Sequence, residues 1–243
     1  MCHGGCGFHT PRFVSRVRRV KESESGAGPN AQLRLALERG PAFERESFIV
    51  SDSNREAVDT IDAWPAWPGG VVALIGPEGS GKTHLSRAWA KRAGAVILDK
   101  GPLNPTRLPS GPVLLEDADH RLDEPALFHL INRTEAGSSL LLTARQPPRA
   151  WPTNLPDLRS RLNAMLTVDL GAPDDAILRG VLLRFFRDRH IKPDRDLLVY
   201  LLRRMERSAP AALTLVDRLD TSAAASRREV NRALARDILE GLD

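Results

Sequence analysis

The chain's hydrophobic positions fall into two regimes. Between residues 48 and 171, short unbroken apolar runs alternate with helix-period stretches. Asn54–Trp64 places Ala57, Val58 and Ile61 on one helical face, and Pro65 and Pro68 end that helix. The apolar runs are Val71–Ile75, Ala95–Leu98, Val113–Leu115, Ser139–Thr143 and Met165–Leu170. Continuous runs of this kind suit strands buried on both faces of a parallel sheet, and the helices between them supply right-handed crossovers. The expected base is therefore an α/β sandwich (an αβα arrangement around a parallel sheet) over residues 45–171. After Gly171 the period becomes purely helical. Pro173 reads as a first helical position, followed by Asp174 and Asp175, which favour a helix N-terminus. Ile177, Leu178, Val181, Leu182 and Phe185 form its apolar face. Further helices are expected near Leu197–Met205 and Ala211–Leu219, and a fourth from the pair Ser226 and Glu229, carrying Val230, Leu234 and Ile238. Residues 172–243 thus read as a small all-helical domain. Residues 1–31 show no sustained period and read as a disordered tail.

Composition narrows the class. Of 243 residues, 42% are hydrophobic and 27% charged, which is ordinary for a globular chain with a sizeable core. The net charge of +4 is compatible with nucleic-acid partners but comes from arginines scattered along helical stretches. The two cysteines, Cys2 and Cys6, both precede the folded part, so no disulfide framework is expected and a reducing cytoplasm fits. With His3 and His9 they lack a second ligand pair at zinc-finger spacing, so no zinc site is expected there. No apolar run reaches the length of a membrane span, and the N-terminus has no secretory pattern.

The strongest chemical signal is Gly76-Pro77-Glu78-Gly79-Ser80-Gly81-Lys82-Thr83, a full G-x-x-x-x-G-K-[ST] match between an apolar strand and the helix expected over His84–Arg92. Glycines at 76, 79 and 81 let the backbone wrap a phosphate with its N–H groups pointing inward, and the helix N-terminus adds favourable charge. Lys82 is expected to reach the β- and γ-phosphates, Ser80 of the loop and His84 at the start of the helix to join the nucleotide-binding set, and Thr83 to hold Mg²⁺. Downstream, Val113-Leu114-Leu115-Glu116-Asp117 fits an apolar strand delivering carboxylates to that metal. Glu116 or Asp117 is the metal residue, depending on register, and neither register gives a plain Asp-Asp or Asp-Glu pair. Weak or no intrinsic ATPase activity is the expectation.

Several segments in order, Phe48–Asn54, Gly76–Leu85, Leu140–Pro148 and Leu155–Leu162, resemble AAA+ proteins of the DnaA/Hda group, and the chain most resembles the Hda family of bacterial DnaA inactivators over residues 32–243. That resemblance implies a five-stranded parallel core with a helical lid, and an adenine nucleotide, ADP or ATP, as ligand with Mg²⁺. It places the adenine pocket around Phe48, Ile49 and the lid. In Arg159-Ser160-Arg161, it makes Arg161 an arginine finger acting in trans on a neighbouring site. It also marks departures. Arg145 stands where the group has a polar or acidic sensor residue, and Pro210 stands where the lid arginine is expected, unless Arg207 takes that role.

Gln32-Leu33-Arg34-Leu35-Ala36-Leu37 is similar to the sliding-clamp-binding peptide of the same family. Gln32 would hydrogen-bond in a polar pocket while Leu33, Leu35 and Leu37 enter an apolar cleft. The chain stops at Asp243, where the fourth lid helix ends, so no DnaA-type helix-turn-helix is expected. The expected activity is regulation of replication initiation: docking on the DNA-loaded DNA polymerase III β clamp and stimulating hydrolysis of DnaA-bound ATP. The partners are then the clamp and DnaA, with a homo-oligomer allowed, DNA met only through the clamp, and no membrane. The alternatives are a DnaC-like helicase loader and a non-hydrolysing clamp-binding adaptor.

Overall fold

The computed structural model describes residues 43–98, 108–120 and 123–241. The predicted tail and the predicted clamp peptide, with Gln32, Leu33, Leu35 and Leu37, lie outside the described residues. Strands β1 (Val71–Ile75), β2 (Val96–Leu98), β3 (Val113–Leu115), β4 (Leu140–Ala144) and β5 (Leu166–Asp169) form one sheet in the order β2-β3-β4-β1-β5, every pair parallel. All five apolar runs are strands: Val71–Ile75 and Val113–Leu115 match to the residue, and the ends of the other three shift by at most one residue.

Successive residues of a strand face opposite sides of the sheet. Val71, Ala73, Val113, Leu115, Leu140 and Leu142 join the core beneath α3 (Glu124–Glu135) and α4 (Pro156–Ala164). Val72, Leu74, Leu114, Leu141 and Val168 pack under α1 (Arg55–Asp62) and α2 (Lys82–Ala93). Each buried aliphatic side chain contributes about 1.5–3 kcal/mol, so a one-residue slip of a central strand exchanges buried sets and is strongly disfavoured. Trp89 of α2 is 2% exposed, stacks on Trp67 at 5.1 Å and meets Trp64 edge-on at 6.3 Å. The outermost strand β2 departs from the two-sided burial expected of it. Val96 and Ile97 are exposed, as an edge strand allows.

Residues after 171 form α5 (Asp175–Asp188), α6 (Arg195–Arg204), α7 (Ala209–Ser226) and α8 (Arg232–Glu240) around a core of Leu178, Leu182, Phe186, Leu201, Val216 and Leu219. Each helix starts on a side-chain cap. Asp174, Asp194, Ser208 and Asn231 accept from the N–H of Ile177, Leu197, Ala211 and Leu234 respectively. Such a cap is worth about 1 kcal/mol. Two expected boundaries are corrected by these caps. Pro173 precedes the cap of α5 rather than opening the helix. Ser226 belongs to the last turn of α7, where its hydroxyl donates to Ser222 O, and α7 ends on Arg227 in the left-handed region at φ 53°. Glu229 therefore lies in the connection, and α8 begins at Asn231. Among the described residues no helix is long and apolar enough to cross a membrane.

Candidate nucleotide site

The P-loop joins the end of β1 to the start of α2. An ideal Cβ at Gly76 would lie 2.2 Å from the carbonyl oxygen of Leu170, and Gly79 has φ +75° with its Cβ direction 2.6 Å from Ser208 Cβ. Only glycine fits either place: the first because β5's continuation passes too close, the second because the left-handed backbone and the lid both forbid a side chain. Ser208 is the cap of α7, so the lid's third helix begins directly on the P-loop.

Lys82 is buried, and its Nζ donates to Gly76 O and Pro77 O, both at 2.7 Å. Burial pulls its pKa below the ordinary lysine value. Asp117, Asp119 and Glu78 oppose that shift, while Arg145 adds to it. The hydroxyl of Ser80 is buried inside the loop without a hydrogen-bond partner. A desolvated ammonium folded back on the loop's own carbonyls, beside an orphaned hydroxyl, suits a polyphosphate. Phosphate oxygens would give Ser80 the acceptor it lacks and Lys82 an anionic one in place of neutral carbonyls. Thr83 is exposed at the first turn of α2.

The flanking segment is fixed by three polar anchors. Asn54, 3% exposed, accepts from Ser51 N–H at 2.9 Å and donates to Ile49 O at 2.9 Å. Asp174 accepts from the hydroxyls of Ser51 (2.7 Å) and Ser53 (2.9 Å) while capping α5. Arg184 of α5 donates to Ser47 O at 3.1 Å. These bonds hold Phe48 and Ile49 in place. Phe48 lies over Gly81 and meets the His84 ring edge-on at 5.4 Å. Ile49 lies against Gly180 of α5, with its Cδ1 2.7 Å from where a Cβ would stand. The two residues predicted to line the base pocket therefore bridge the P-loop helix and the lid. His84 is turned to this segment. Its Nε2 is 3.1 Å from Ser47 Oγ and 3.0 Å from Glu44 O, and its ring meets Phe43 edge-on. Burial lowers its pKa below the ordinary imidazole value.

The acidic strand end is arranged differently from the simple expectation. Glu116, two residues past Leu114, points to the α2 side and is 6% exposed. Its carboxylate is held by Arg87, with Nη2–Oε2 at 2.7 Å and Nε 3.3 Å from both oxygens. Asp117 leads the negative charges that act on Lys82. Asp117 has a positive φ of 51°, is exposed, and donates its N–H to Thr143 Oγ1 at 3.1 Å. Of the two carboxylates, Asp117 is thus the one on the P-loop side. For Mg²⁺ the donors fit only in part. Thr83 and Asp117 are free to serve, but the buried carboxylate is committed to a guanidinium.

The sensor positions are built by residues that the sequence motif did not name. Asp119 accepts from the N–H groups of Arg145 (2.8 Å) and Gln146 (3.1 Å), fixing the loop after β4. The Arg145 side chain pairs with Glu78 of the P-loop at 2.9 Å. The Arg207 side chain donates to Asp175 (2.7 Å) and to Pro173 O (3.0 Å). Pro210 sits in the first turn of α7 and offers no donor. Arg161 lies on α4, across the sheet from α2. There it pairs with Glu135 and lies over the Phe128 ring at 5.5 Å. Gly180, Arg87, Glu78 and Ser208 had no motif signal. A glycine inside an otherwise apolar helix was the one visible clue to Gly180.

The P-loop sequence thus sits between β1 and α2 of a parallel sheet of order β2-β3-β4-β1-β5, and a four-helix unit follows whose third helix starts on that loop. No protein-family model matches the chain. It is 24% identical to the chromosomal replication initiator protein DnaA of Thermomicrobium roseum over 256 residues, 91% of this chain and 55% of that protein. The chain thus spans about half the length of that curated relative. In fold it is similar to domain III of Thermotoga maritima DnaA, at a TM-score of 0.68 and 18% identity over 83% of this chain and 97% of that one. It is also similar to AMPPCP-bound DnaA from Aquifex aeolicus, at a TM-score of 0.58 and 18% identity over 74% of this chain and 65% of that one. The architecture extends to the Thermotoga maritima RuvB branch-migration motor, at a TM-score of 0.63 and 16% identity over 82% and 72% of the two chains. The α/β fold and its five-stranded parallel sheet are those of the DnaA and RuvB structures.

Proposed function

We propose that this chain is a nucleotide-binding regulator of replication initiation that acts on DnaA, in the manner of the Hda family. The nucleotide, ADP or ATP, is held by Gly76–Thr83, with Lys82 and Ser80 on its phosphates and Phe48, Ile49 and Gly180 toward its base. The reading draws on the DnaA relative and on the ATP analogue bound by the Aquifex protein. In the proposed cycle the segment Gln32–Leu37 docks on the DNA-loaded sliding clamp in the cytoplasm. Arg161 then completes the site of ATP-bound DnaA, neutralising charge that develops on the transferred phosphoryl group.

The observation that carries the arginine role is the position of Arg161. It is held on the α3–α4 side of the sheet, away from its own P-loop helix, so a phosphate partner has to come from another molecule. Its present partner, Glu135, is a surface ion pair worth about 0–1 kcal/mol, which a phosphate contact replaces at little cost. Arg161→Ala is expected to leave nucleotide and clamp binding unchanged while abolishing conversion of DnaA-bound ATP to ADP. Undiminished conversion by that variant removes the arginine from the mechanism.

A non-hydrolysing clamp-binding adaptor is the second reading. It is favoured by Glu116 being bound to Arg87 and by the missing donor at Pro210. A DnaA-inactivation assay separates the two, since an adaptor leaves DnaA-bound ATP unconverted. A helicase loader of the DnaC kind would instead bind the replicative helicase.

A further inference from the structure

We propose that Arg87 takes over at Glu116 the charge position that a divalent cation holds beside the acidic strand end of a P-loop, so that this chain binds ADP without a divalent cation. The proposal rests on the reading of Gly76–Thr83 as a nucleotide site. Arg87 lies one helical turn after Thr83, on the same flank of α2. From there its guanidinium reaches the Glu116 carboxylate with a 2.7 Å contact and two further contacts at 3.3 Å. Glu116 is 6% exposed, so its charge has little water to fall back on. Freeing it for a metal means breaking its pair with Arg87.

Arg87 also lies over the Phe43 ring at 5.2 Å, and Phe43, Arg87, Ala90, Ala95 and Ile97 line a groove of about 400 Å³ on the outer flank of α2. The guanidinium that holds Glu116 thus also lines the groove on that flank. Supporting carboxylates typically contribute 10–100-fold to metal affinity, and here that contribution is already spent on a cation belonging to the chain. Mg²⁺ is a small ion that sheds water reluctantly and needs near-octahedral oxygen donors. Thr83 and the exposed Asp117 alone give it little preference for the protein-bound nucleotide over the free one.

The test is ADP binding by the full chain, read by calorimetry in excess Mg²⁺ and in excess EDTA. Manganese EPR counts ions held by the protein–ADP complex beyond those held by ADP. Wild-type affinity is expected to change by less than about threefold between the two conditions, with no additional manganese retained. Arg87→Met frees the carboxylate and is expected to introduce a divalent-ion dependence of about tenfold or more. The double variant Arg87→Met/Glu116→Gln, which removes both charges of the pair, is expected to lose that divalent-ion dependence again. A wild-type affinity that falls tenfold or more in EDTA overturns the proposal while leaving the nucleotide site intact. Absence of ADP binding in both conditions overturns the nucleotide reading and the proposal together.

Discussion

Asp174→Ala removes one carboxylate that does two jobs. Its Oδ1 caps α5 through Ile177 N–H at 2.8 Å, and its Oδ2 accepts from Ser51 and Ser53 at 2.7 and 2.9 Å. Loss of the cap costs about 1 kcal/mol. Each hydroxyl bond to the carboxylate adds about 0.5 kcal/mol after allowing for partial exposure, because the two serines also bond each other at 2.8 Å and stay satisfied in part. The expected total is a loss of about 2 kcal/mol, and Asp174→Asn, which keeps a capping oxygen, should lose about half of it. Urea unfolding followed by circular dichroism measures this as a shift in midpoint at unchanged slope. The sign of the pH dependence follows from the same bonds. The Ile177 N–H is the largest cause holding the Asp174 carboxyl below the ordinary carboxylate value; burial opposes it, and the hydroxyls of Ser51 and Ser53 then add to the lowering. Its contribution is therefore complete above that ordinary value and is lost as pH falls through the lowered one. A loss below about 0.5 kcal/mol in Asp174→Ala, or equal losses in the two variants, would refute this account of how the segment before the P-loop is tied to the lid.

Three further outcomes follow from the site. Gly79→Ala forces a Cβ into a left-handed backbone and to 2.6 Å from Ser208 Cβ, so ADP affinity measured by calorimetry should drop by about tenfold or more as the loop and lid separate. Gly180→Ala gains up to about 1 kcal/mol of helix propensity, and the atom in its way is the flexible end of Ile49, so unfolding midpoints should hold or rise while ADP binding weakens if Ile49 lines the base pocket. Partial burial holds the folded-state pKa of His84 below the ordinary imidazole value. Stability is therefore full above that ordinary value and falls as pH drops below it toward the lowered one. Thermal melts across this range should show the decline in the wild type and a flatter profile in His84→Asn.

The sheet was legible because its strands are written as unbroken aliphatic runs whose two faces both need cover, and Val71–Ile75 and Val113–Leu115 match to the residue. The lid helices were legible by period, but their starts were not. Asn231 outcompetes Ser226 because Arg227 ends α7 in the left-handed region and the chain needs several residues to turn before α8. The P-loop was legible as a motif because phosphate binding dictates residue types at fixed spacing. Its surroundings were not, since they depend on which side chains the fold brings together. Arg87 and Glu116 are 29 residues apart, Arg145 and Glu78 are 67 apart, and no local pattern signals either pair. Glycine at 180 was visible as an anomaly, but only the approach of Ile49 gives it a reason.

The central claim is tested most directly by following labelled ATP bound to DnaA, in the presence of DNA-loaded clamp, with this chain and with its Gln32→Ala variant. The account predicts conversion to ADP with the intact chain and little conversion with the variant. Failure of the intact chain to convert DnaA-bound ATP, while it binds both nucleotide and clamp, would contradict it.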